Sequence, residues 1–466
     1  MSANKYDLGL IGLGTMGKNL LMNMADNGFD VAGYDKDTAK VDSLKDAEGD
    51  IYGAKTVEEF VEVLEKPRRV FLLVPAGKIV DYVVADLLPH LDKGDIIIDG
   101  GNSYFKDTMR RQQELTPKGI HFLGIGVSGG AEGARRGPSM MPGGNRTAYN
   151  KVKPIMEAVA AKIGKQPCVT YLGEGAVGHF VKMVHNGIEY GLMQLLAEAY
   201  DVMKRGLGMA NADIQAAFED WNSKELRSFL VEITAEIFKA KDDLGDGDLV
   251  DQIMDKGKQK GTGKWTSQEA LDLGVAIPTI DLAVIARIVS ALKTERVAAS
   301  EVLEGPDGSI KKDQKTFVRR LKNATLFSFI VSYAQGMAML KDASDEYGFN
   351  LDLEGVARIW RGGCIIRAKL LEDFRRAYKK QPDLANLLMD ERIAKVVNKT
   401  QKDTRTVIGE AVKIGIPVPC LMGSLAYFDS YRNARLPINL VQAQRDFFGS
   451  HTFERLDRKG VFHYEW

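Results

Sequence analysis

The sequence is poor in cysteine and histidine and has no excess of either charge. Its 466 residues include six histidines and three cysteines, Cys168, Cys364 and Cys420, with no CxxC pair. An odd, dispersed set of cysteines argues against a disulfide framework and against a thiolate zinc site. Lysine plus arginine and aspartate plus glutamate number 63 each. A general nucleic-acid binder or polybasic membrane binder is therefore not expected, because either needs a net basic field.

The sequence also lacks a long uncharged apolar run of the kind that spans a membrane. No apolar signal-peptide region precedes Gly12. We therefore expect a cytoplasmic protein in a reducing compartment, with no membrane partner. The length predicts two or three domains with a large core.

Short apolar runs alternate with helical stretches over the first part of the chain. Because strands covered on both faces are continuously apolar, this pattern predicts βαβ units and a doubly wound parallel sheet. We assign residues 1–177 to this α/β domain. The predicted strands are 8–11, 29–34, 70–74, 96–99, 120–125 and 169–172.

From residue 178 the β-type runs cease and apolar residues recur at helical spacing, as in 180–207 and 226–240. This predicts a large all-α domain over 178–436. An aromatic-rich tail, 437–466, follows it. The tail is expected to pack either on a second subunit or back on its own chain.

The helical region shows a possible internal repeat. Glu269, Gly274 and Pro278 recur at a constant offset as Glu410, Gly415 and Pro419. Such residues are common at helix ends, so chance is the alternative to duplication. A constant offset over several positions favours duplication of a helical bundle.

A GxGxxG motif lies between the first strand and the first helix. This context predicts a Rossmann-like dinucleotide-binding domain, in which the first glycine permits a tight turn and the second lets a pyrophosphate approach the backbone. The third glycine allows the helix to pack closely, and the helix N-terminus faces the phosphate charge. The motif comprises Gly12, Leu13, Gly14, Thr15, Met16 and Gly17.

The end of the second strand bears on the choice between NAD and NADP. Asp35 is placed to accept hydrogen bonds from the ribose 2′-hydroxyl and to repel a 2′-phosphate, which favours NAD. Lys36 opposes this, since it is able to pair with a 2′-phosphate. A solvated turn is the alternative for both residues, so the cofactor remains NAD or NADP at this stage.

Two glycine-rich loops follow later strands and contain Asn102 and Ser128-Gly129-Gly130. Ligands of open α/β sheets bind beyond the carboxyl ends of the strands. These loops are therefore expected to hold a substrate or the nicotinamide. Tight turns without ligand contacts are the alternative.

A helical stretch after residue 177 carries five ionisable or polar side chains on one face. Such a face is costly to bury without a ligand, and a lysine and a glutamate two turns apart can serve as separate base and acid. A solvated face is the alternative. The five residues are Lys182, His185, Asn186, Glu189 and Tyr190, at i, i+3, i+4, i+7 and i+8.

Two further cationic positions suit an anionic ligand. Lys260 and Lys264 lie in a glycine-containing loop, 259–265, and Arg287 lies in an apolar helix, where a buried guanidinium would need an anion. A surface loop and a structural ion pair are the alternatives.

The whole chain resembles the 6-phosphogluconate dehydrogenase family. The motifs that carry the resemblance are GLGTMG, IIDGGNS, GVSGGAEGAR, GPSMMPGG, GHFVKMVHNGIEYG, QKGTGKWT, WRGGCIIR and QAQRDFFGSHTFE. The resemblance implies oxidative decarboxylation of 6-phospho-D-gluconate to ribulose 5-phosphate and CO2 in the pentose phosphate pathway, with NAD or NADP and without a metal. It also implies a homodimer in which each tail reaches the partner's active site.

The resemblance further implies a role for each motif residue. Lys182 would be the general base and Glu189 the proton donor to C1. The substrate residues would be Asn102, Ser128, Gly129, Gly130, His185, Asn186, Tyr190, Lys260, Thr262 and Arg287, with Arg445 and His451 of the partner subunit. The cofactor residues would be the GxGxxG motif, Asp35, Lys36, Asp37, Val74, Pro75, Ala76 and Asn102.

The chain departs from the family pattern at two places near the cofactor. Many NADP-using members carry Asn-Arg-Thr in place of Asp35-Lys36-Asp37, and lysine in place of Pro75. Both departures remove positive charge or add negative charge. Strict NADP specificity is therefore not expected.

Two other functions remain open from the sequence. The chain could be a β-hydroxyacid dehydrogenase that acts on an unphosphorylated acid without decarboxylation, but Lys260, Arg287 and Arg445 favour a phosphorylated substrate. It could also be a catalytically silent dinucleotide-binding protein, but the Lys182–Glu189 face favours an enzyme.

Overall fold

The computed structural model of the chain describes residues 5–45 and 51–466. The described chain forms two compact units that divide between Ser424 and Leu425. The first unit contains the sheet and most of the helices.

One sheet organises the N-terminal part of the first unit. Its strand order is β3-β2-β1-β4-β5-β6-β7, with the first six strands in parallel pairs and β7 antiparallel to β6. The order reverses between β1 and β4, which is where doubly wound sheets bind ligands. The strands are β1 (Leu8–Ile11), β2 (Val31–Tyr34), β3 (Ile51–Gly53), β4 (Arg69–Leu72), β5 (Ile96–Asp99), β6 (His121–Ser128) and β7 (Ser139–Gly143).

Helices cover both faces of the sheet, so most strands, among them β1, β2, β4, β5 and β6, contribute to two apolar clusters. In β4, Phe71 belongs to one cluster, while Val70 and Leu72 belong to the other. This explains the continuously apolar strands, since alternate side chains point to opposite faces. The helices of this region are α1 (Thr15–Asp26), α2 (Thr38–Asp42), α3 (Val57–Glu62), α4 (Lys78–Leu87), α5 (Phe105–Leu115), α6 (Gly130–Arg136) and α7 (Arg146–Val159). A short hairpin, β8 (Lys162–Ile163) and β9 (Gln166–Pro167), follows.

The predicted α/β domain is confirmed, with changes at the strand level. The strands at 8–11 and 96–99 are observed as predicted, while three others shift or change length. The predicted strand 169–172 is wrong, because Val169 forms only an isolated bridge with Met140. The sequence did not reveal β3, which has three residues, or β7, which contains Pro142 and Gly143, residues of low β-propensity.

The remainder of the first unit is helical, as predicted. The predicted helix 180–207 corresponds to α8 and a following π-helical turn (Val202–Gly206), and 226–240 corresponds to α10. The helices are α8 (Val177–Asp201), α9 (Asn211–Asn222), α10 (Phe229–Ile237), α11 (Leu249–Gln252), α12 (Thr262–Asp272), α13 (Pro278–Ala291), α14 (Lys293–Ser300), α15 (Gln314–Tyr347), α16 (Leu353–Ile359), α17 (Leu370–Lys380), α18 (Glu391–Lys413) and α19 (Pro419–Tyr431), the last spanning the division between the units.

The repeated sequence positions have the same local structure. Helices α12 and α18 each end before a glycine in the left-handed region, Gly274 with φ 69° and Gly415 with φ 68°. Proline then begins the next helix at Pro278 and Pro419. Glycine tolerates this φ and proline suits a first helical turn. Both halves of the helical region therefore use the same helix–turn–helix connection.

The second unit has α20 (Ile438–Gly449) and a hairpin of β10 (Phe453–Glu454) and β11 (Val461–Phe462). The buried Asp446 accepts hydrogen bonds from Thr452 N, His463 Nδ1, Tyr464 N and Trp466 Nε1. Burial would raise the pKa of this carboxyl, but the hydrogen bonds lower it to about 2. The end of the tail therefore folds around one carboxylate.

Candidate active site

A cleft of about 1460 Å³ opens beyond the carboxyl ends of β1 and β4. It joins the glycine-rich loop of the sheet to α8, α12 and α13 of the helical region. Most of the residues predicted from the sequence line it. They are Gly12, Gly14, Thr15, Met16, Gly17, Asp35, Lys36, Val74, Pro75, Ala76, Asn102, Asn186, Glu189, Tyr190, Lys260, Thr262 and Arg287.

The other predicted residues do not line the cleft directly. Arg445 and His451 belong to the second unit, where Arg445 is exposed and its guanidinium donates to Gln442. The remaining residues are Leu13, Asp37, Ser128, Gly129, Gly130, Lys182 and His185.

The glycines of the first loop fit a dinucleotide pyrophosphate. Gly12 has φ 100°, and a Cβ there would lie 2.5 Å from the Leu73 carbonyl oxygen. A Cβ at Gly17 would overlap with the Gly12 carbonyl oxygen, whereas Gly14 faces open space. Helix α1 begins without a side-chain cap or an acidic residue in its first turn. Its free N–H groups are therefore available to a phosphate.

The carboxylate of Asp35 is held against this loop. Its oxygens accept hydrogen bonds from Leu13 N at 2.7 Å and from Asp37 N at 2.9 Å, and Lys40 Nζ lies 3.5 Å away. The Asp37 side chain caps α2 by accepting from Ala39 N. Each Asp35 oxygen keeps a further lone pair for a ribose hydroxyl.

The Lys36 side chain has a partner that the sequence did not suggest. Its Nζ lies 3.3 Å from Asp86 at the end of α4, and both residues line the cleft together with Lys40. The pair is exposed, so its contribution to stability is small. Sequence reasoning missed Asp86 because only the fold brings α4 next to the loop after β2, and it missed Lys40 although this residue lies in α2, which directly follows that loop.

Helix α8 carries Lys182, which is buried, and Glu189, which is partly buried and lines the cleft. Lys182 is only 6% exposed, and no hydrogen bond or salt bridge joins its Nζ to any residue of the described ranges. Burial lowers its pKa, against the opposing influence of the Glu189 carboxylate. Burial raises the pKa of Glu189, against the influence of Lys182 and Arg287. Burial therefore favours a neutral amine beside a neutral carboxylic acid.

His185 connects this helix face to Ser128, the last residue of β6. Its Nε2 lies 3.3 Å from Ser128 Oγ, and its Nδ1 lies 3.0 Å from Asn186 Oδ1 and 4.0 Å from Glu189 Oε2. Burial and the nearby Lys182 hold its pKa well below the usual value. A neutral imidazole in this position holds Ser128 and Asn186 by hydrogen bonds, one through each ring nitrogen.

The far wall of the cleft supplies cations. The Arg287 guanidinium lies 3.4 Å from the centroid of the Tyr190 ring. Arg287 is half-buried, which corrects the expectation of a buried arginine, because α13 lies at the cleft rather than inside the bundle. Lys260 is exposed and Thr262 begins α12. Both cations are thus open to an anionic ligand.

A buried charged cluster that the sequence did not reveal fixes the position of α12. The Glu269 carboxylate is completely buried, accepts a hydrogen bond from the Tyr347 hydroxyl and lies 2.8 Å from Lys106 Nζ. These residues belong to α12, α15 and α5. The cluster joins the sheet domain to the helix that begins with Thr262. No local pattern could reveal it, because its members lie far apart in the chain.

The described residues contain neither a candidate metal-binding cluster nor a candidate membrane-spanning helix. Among residues 5–45 and 51–466, no group of three or more His, Cys, Asp or Glu side chains is arranged to hold a metal ion. Within the same ranges, no helix is long and apolar enough to cross a membrane.

A parallel sheet with a phosphate-accepting glycine loop, completed by an ionisable helix face, defines a dinucleotide-dependent oxidoreductase. Residues 7–173 match the family model for the NAD binding domain of 6-phosphogluconate dehydrogenase, and residues 178–466 match the model for its C-terminal domain. The chain belongs to the 6-phosphogluconate dehydrogenase family.

Curated relatives and a solved structure are similar to this chain along nearly its full length. The decarboxylating 6-phosphogluconate dehydrogenase of Lactococcus lactis is 52% identical over 99% of this chain and 98% of its own. The NADP(+)-dependent, decarboxylating enzyme of Bacillus subtilis is 51% identical over 99% of both chains. The Plasmodium falciparum enzyme, solved in apo form and with NADP+ and 6-phosphogluconate, has a TM-score of 0.96 at 44% identity, covering 99% of this chain and all of that chain.

Proposed function

We propose that this chain oxidatively decarboxylates 6-phospho-D-gluconate to D-ribulose 5-phosphate and CO2, in the pentose phosphate pathway, with NAD or NADP as oxidant. The observation that carries the proposal is the buried Lys182 beside Glu189 on the helix that adjoins a dinucleotide cleft. Relatives of this name at about half identity support it.

Lys182 acts first, as the general base. Its neutral amine accepts the proton of the C3 hydroxyl, and a nicotinamide bound in the cleft would supply the acceptor for the hydride from C3. The amine is suited to this because burial lowers its pKa. The lysine, now protonated, donates a hydrogen bond to the C3 ketone oxygen. This stabilises the negative charge that develops there as the carboxylate leaves as CO2.

Glu189 acts second, as the general acid. Loss of CO2 leaves an enediol whose C1 must take up a proton. Glu189 holds that proton because burial raises its pKa. It lies two turns from Lys182 on the same face, so the two groups reach neighbouring substrate carbons. Protonation of C1 converts the enediol to the ketose product.

Substrate binding falls to the residues around this pair. Asn102, Asn186 and Tyr190 line the cleft, while Ser128 and His185 are hydrogen-bonded behind it. The cations Lys260 and Arg287 suit the 6-phosphate, because cationic side chains form charge-assisted hydrogen bonds with phosphate. An unphosphorylated acid would leave both side chains unpaired. Gly129, Gly130 and Thr262 complete the proposed set.

The decisive assay compares substrates at fixed enzyme concentration. Cofactor reduction and CO2 release should both occur with 6-phosphogluconate, in equal amounts, and should be far slower with gluconate. Reduction without CO2 would indicate a simple β-hydroxyacid dehydrogenase. Absence of reduction with any sugar acid would indicate a silent dinucleotide-binding protein.

We infer that NAD serves at least as well as NADP. Asp35 is able to accept hydrogen bonds from the ribose hydroxyls, worth about 1.5–3 kcal/mol for a charged acceptor, whereas a 2′-phosphate would meet a like charge. Lys36 and Lys40 reduce this repulsion, but Lys36 is paired with Asp86. The expected result is a kcat/KM for NAD equal to or above that for NADP. A tenfold preference for NADP would contradict it.

The matched variant combines Asp35→Asn, Lys36→Arg and Asp37→Thr. Threonine retains the ability to cap α2. Asparagine can still accept from Leu13 N, but its amide nitrogen cannot accept from the residue 37 N–H as Asp35 does. The kcat/KM ratio should move toward NADP, with a small loss of thermal stability. A ratio that does not move would show that these three residues do not set the preference.

We also propose a homodimer in which the partner subunit's Arg445 and the partner subunit's His451 complete each site. A mixture of Lys182→Met and Arg445→Ala subunits should then regain activity after subunit exchange. Each hybrid has one site with both changes and one with neither, so about a quarter of wild-type activity is expected from random pairing.

The control for the hybrid experiment mixes wild type with the Lys182→Met, Arg445→Ala double variant. Each hybrid site then carries one change, so activity should fall below simple dilution. Once exchange is verified, the shared site would be refuted by no recovery in the first mixture together with activity equal to simple dilution in the control mixture. The cytoplasmic location stays a prediction, since relatives from Oryza sativa, Arabidopsis thaliana and Spinacia oleracea are described as chloroplastic.

A further inference from the structure

Strand β6 and helix α8 touch at three successive levels. At the two outer levels, a Cβ at Gly124 would lie 2.9 Å from His179 Nδ1, and Ser128 Oγ lies 3.3 Å from His185 Nε2. Residues 124, 126 and 128 share one face of the strand, because side chains alternate. The middle level of this contact is therefore Gly126.

Lys182 occupies the space that a side chain at Gly126 would fill. A Cβ at Gly126 would overlap with the Lys182 Cβ, lie 3.0 Å from its Cγ and lie 3.0 Å from the Gly178 carbonyl oxygen. The first two carbons of the lysine thus rest directly on the strand backbone. This contact fixes the origin of the side chain that carries the amine.

The helix has little freedom to move away from an added methyl group. A Cβ at Gly178 would overlap with the backbone oxygens of Gly124 and Met141, so the first turn of α8 already touches the sheet backbone. His179 anchors the same turn, with Nε2 3.0 Å from the Asp99 carbonyl oxygen and Nδ1 2.7 Å from Thr108 Oγ1. An added methyl would therefore displace the lysine stem.

We propose that Gly126 is a positioning residue for Lys182: its missing side chain lets the lysine stem lie on β6 and so places the amine for catalysis. This rests on the proposed role of Lys182 as the base. Gly126 is absent from the glycines with positive φ in the described chain, so alanine is compatible with its backbone. Alanine there tests space rather than backbone strain.

Gly126→Ala should lower kcat by about 10²-fold, the scale of a displacement near 1 Å at a reacting group. The KM for 6-phosphogluconate and the Kd for the cofactor should stay near wild type, since neither contact is altered. The low-pH limb of kcat/KM should move to higher pH. Displacement reduces burial of the amine, so its pKa rises and more alkaline conditions are needed to deprotonate it.

Gly9→Ala is the matched control. Gly9 lies in β1, and a Cβ there would overlap with the Phe60 ring in the core rather than with α8. Overpacking of either kind destabilises the fold. Both variants should thus show a lowered Tm, but Gly9→Ala should keep the wild-type kcat and pH profile.

The outcomes separate this inference from the proposed function. The positioning role would be overturned by a wild-type kcat in Gly126→Ala, or by changes in kcat and KM equal to those of Gly9→Ala. In either case an inactive Lys182→Met would leave the assignment of Lys182 as the base intact. A chain that fails to fold would overturn it too, since the lysine stem and not the fold should take up the displacement. An active Lys182→Met would instead refute the proposed function.

Discussion

Replacing Lys182 with methionine should abolish hydride transfer while 6-phosphogluconate and the cofactor still bind. Methionine has a similar length and fills the same buried space, but it cannot accept the C3 proton. Loss of a general base costs about 10²–10⁴-fold in rate. Single-turnover reduction of the cofactor measures the rate of hydride transfer. Binding is measured by titration with the substrate, followed by quenching of protein fluorescence or by calorimetry.

The same variant should fold at least as stably as wild type. The buried amine of Lys182 has no hydrogen bond or salt bridge within the described residues, so an apolar side chain of similar size removes a desolvation cost. Lys118→Met, at an exposed position, is the matched control and should leave rate and Tm unchanged. Hydride transfer within a few-fold of wild type would contradict the role of Lys182.

Replacing Glu189 with glutamine should separate the first half of the reaction from the second. Glutamine keeps the shape and hydrogen bonds of the acid but has no proton to give to C1. Proton delivery by a side chain contributes about 10²–10⁴-fold. Reduction of the cofactor precedes this step, so rapid mixing should show a burst of about one reduced cofactor per site, followed by slow turnover.

The pH dependence provides an independent test of the two groups. Lys182 is active when neutral, so activity is lost as pH falls through its lowered pKa. Glu189 is active when protonated, so the C1 protonation step is lost as pH rises through its raised pKa. Glu189→Gln should abolish only the second dependence. A variant with no burst, or with an unchanged pH profile, would exclude Glu189 as the acid.

Local patterns in the sequence were sufficient for the elements that carry the site. The glycine spacing from Gly12 to Gly17 predicted the phosphate loop, and helical spacing placed Lys182 and Glu189 on one face. Both are decided by residues within one or two turns of each other, because backbone sterics and the 3.6-residue period act locally. The same local rules failed at β7, where Pro142 and Gly143 form a strand only because β6 pairs with them.

The tertiary structure determined the burial, the pKa and the contacts of those residues. The sequence identifies Lys182 but does not show that it is buried. Its burial depends on β6 and on the glycine opposite it, and this burial lowers the pKa of the amine. Likewise the sequence contains Asp35, but only the fold turns it toward Leu13 N and brings Asp86 to Lys36. Electrostatic energies depend on distance and solvent access. Both are properties of contacts between segments that are remote in the chain, so they arise only when the chain is folded.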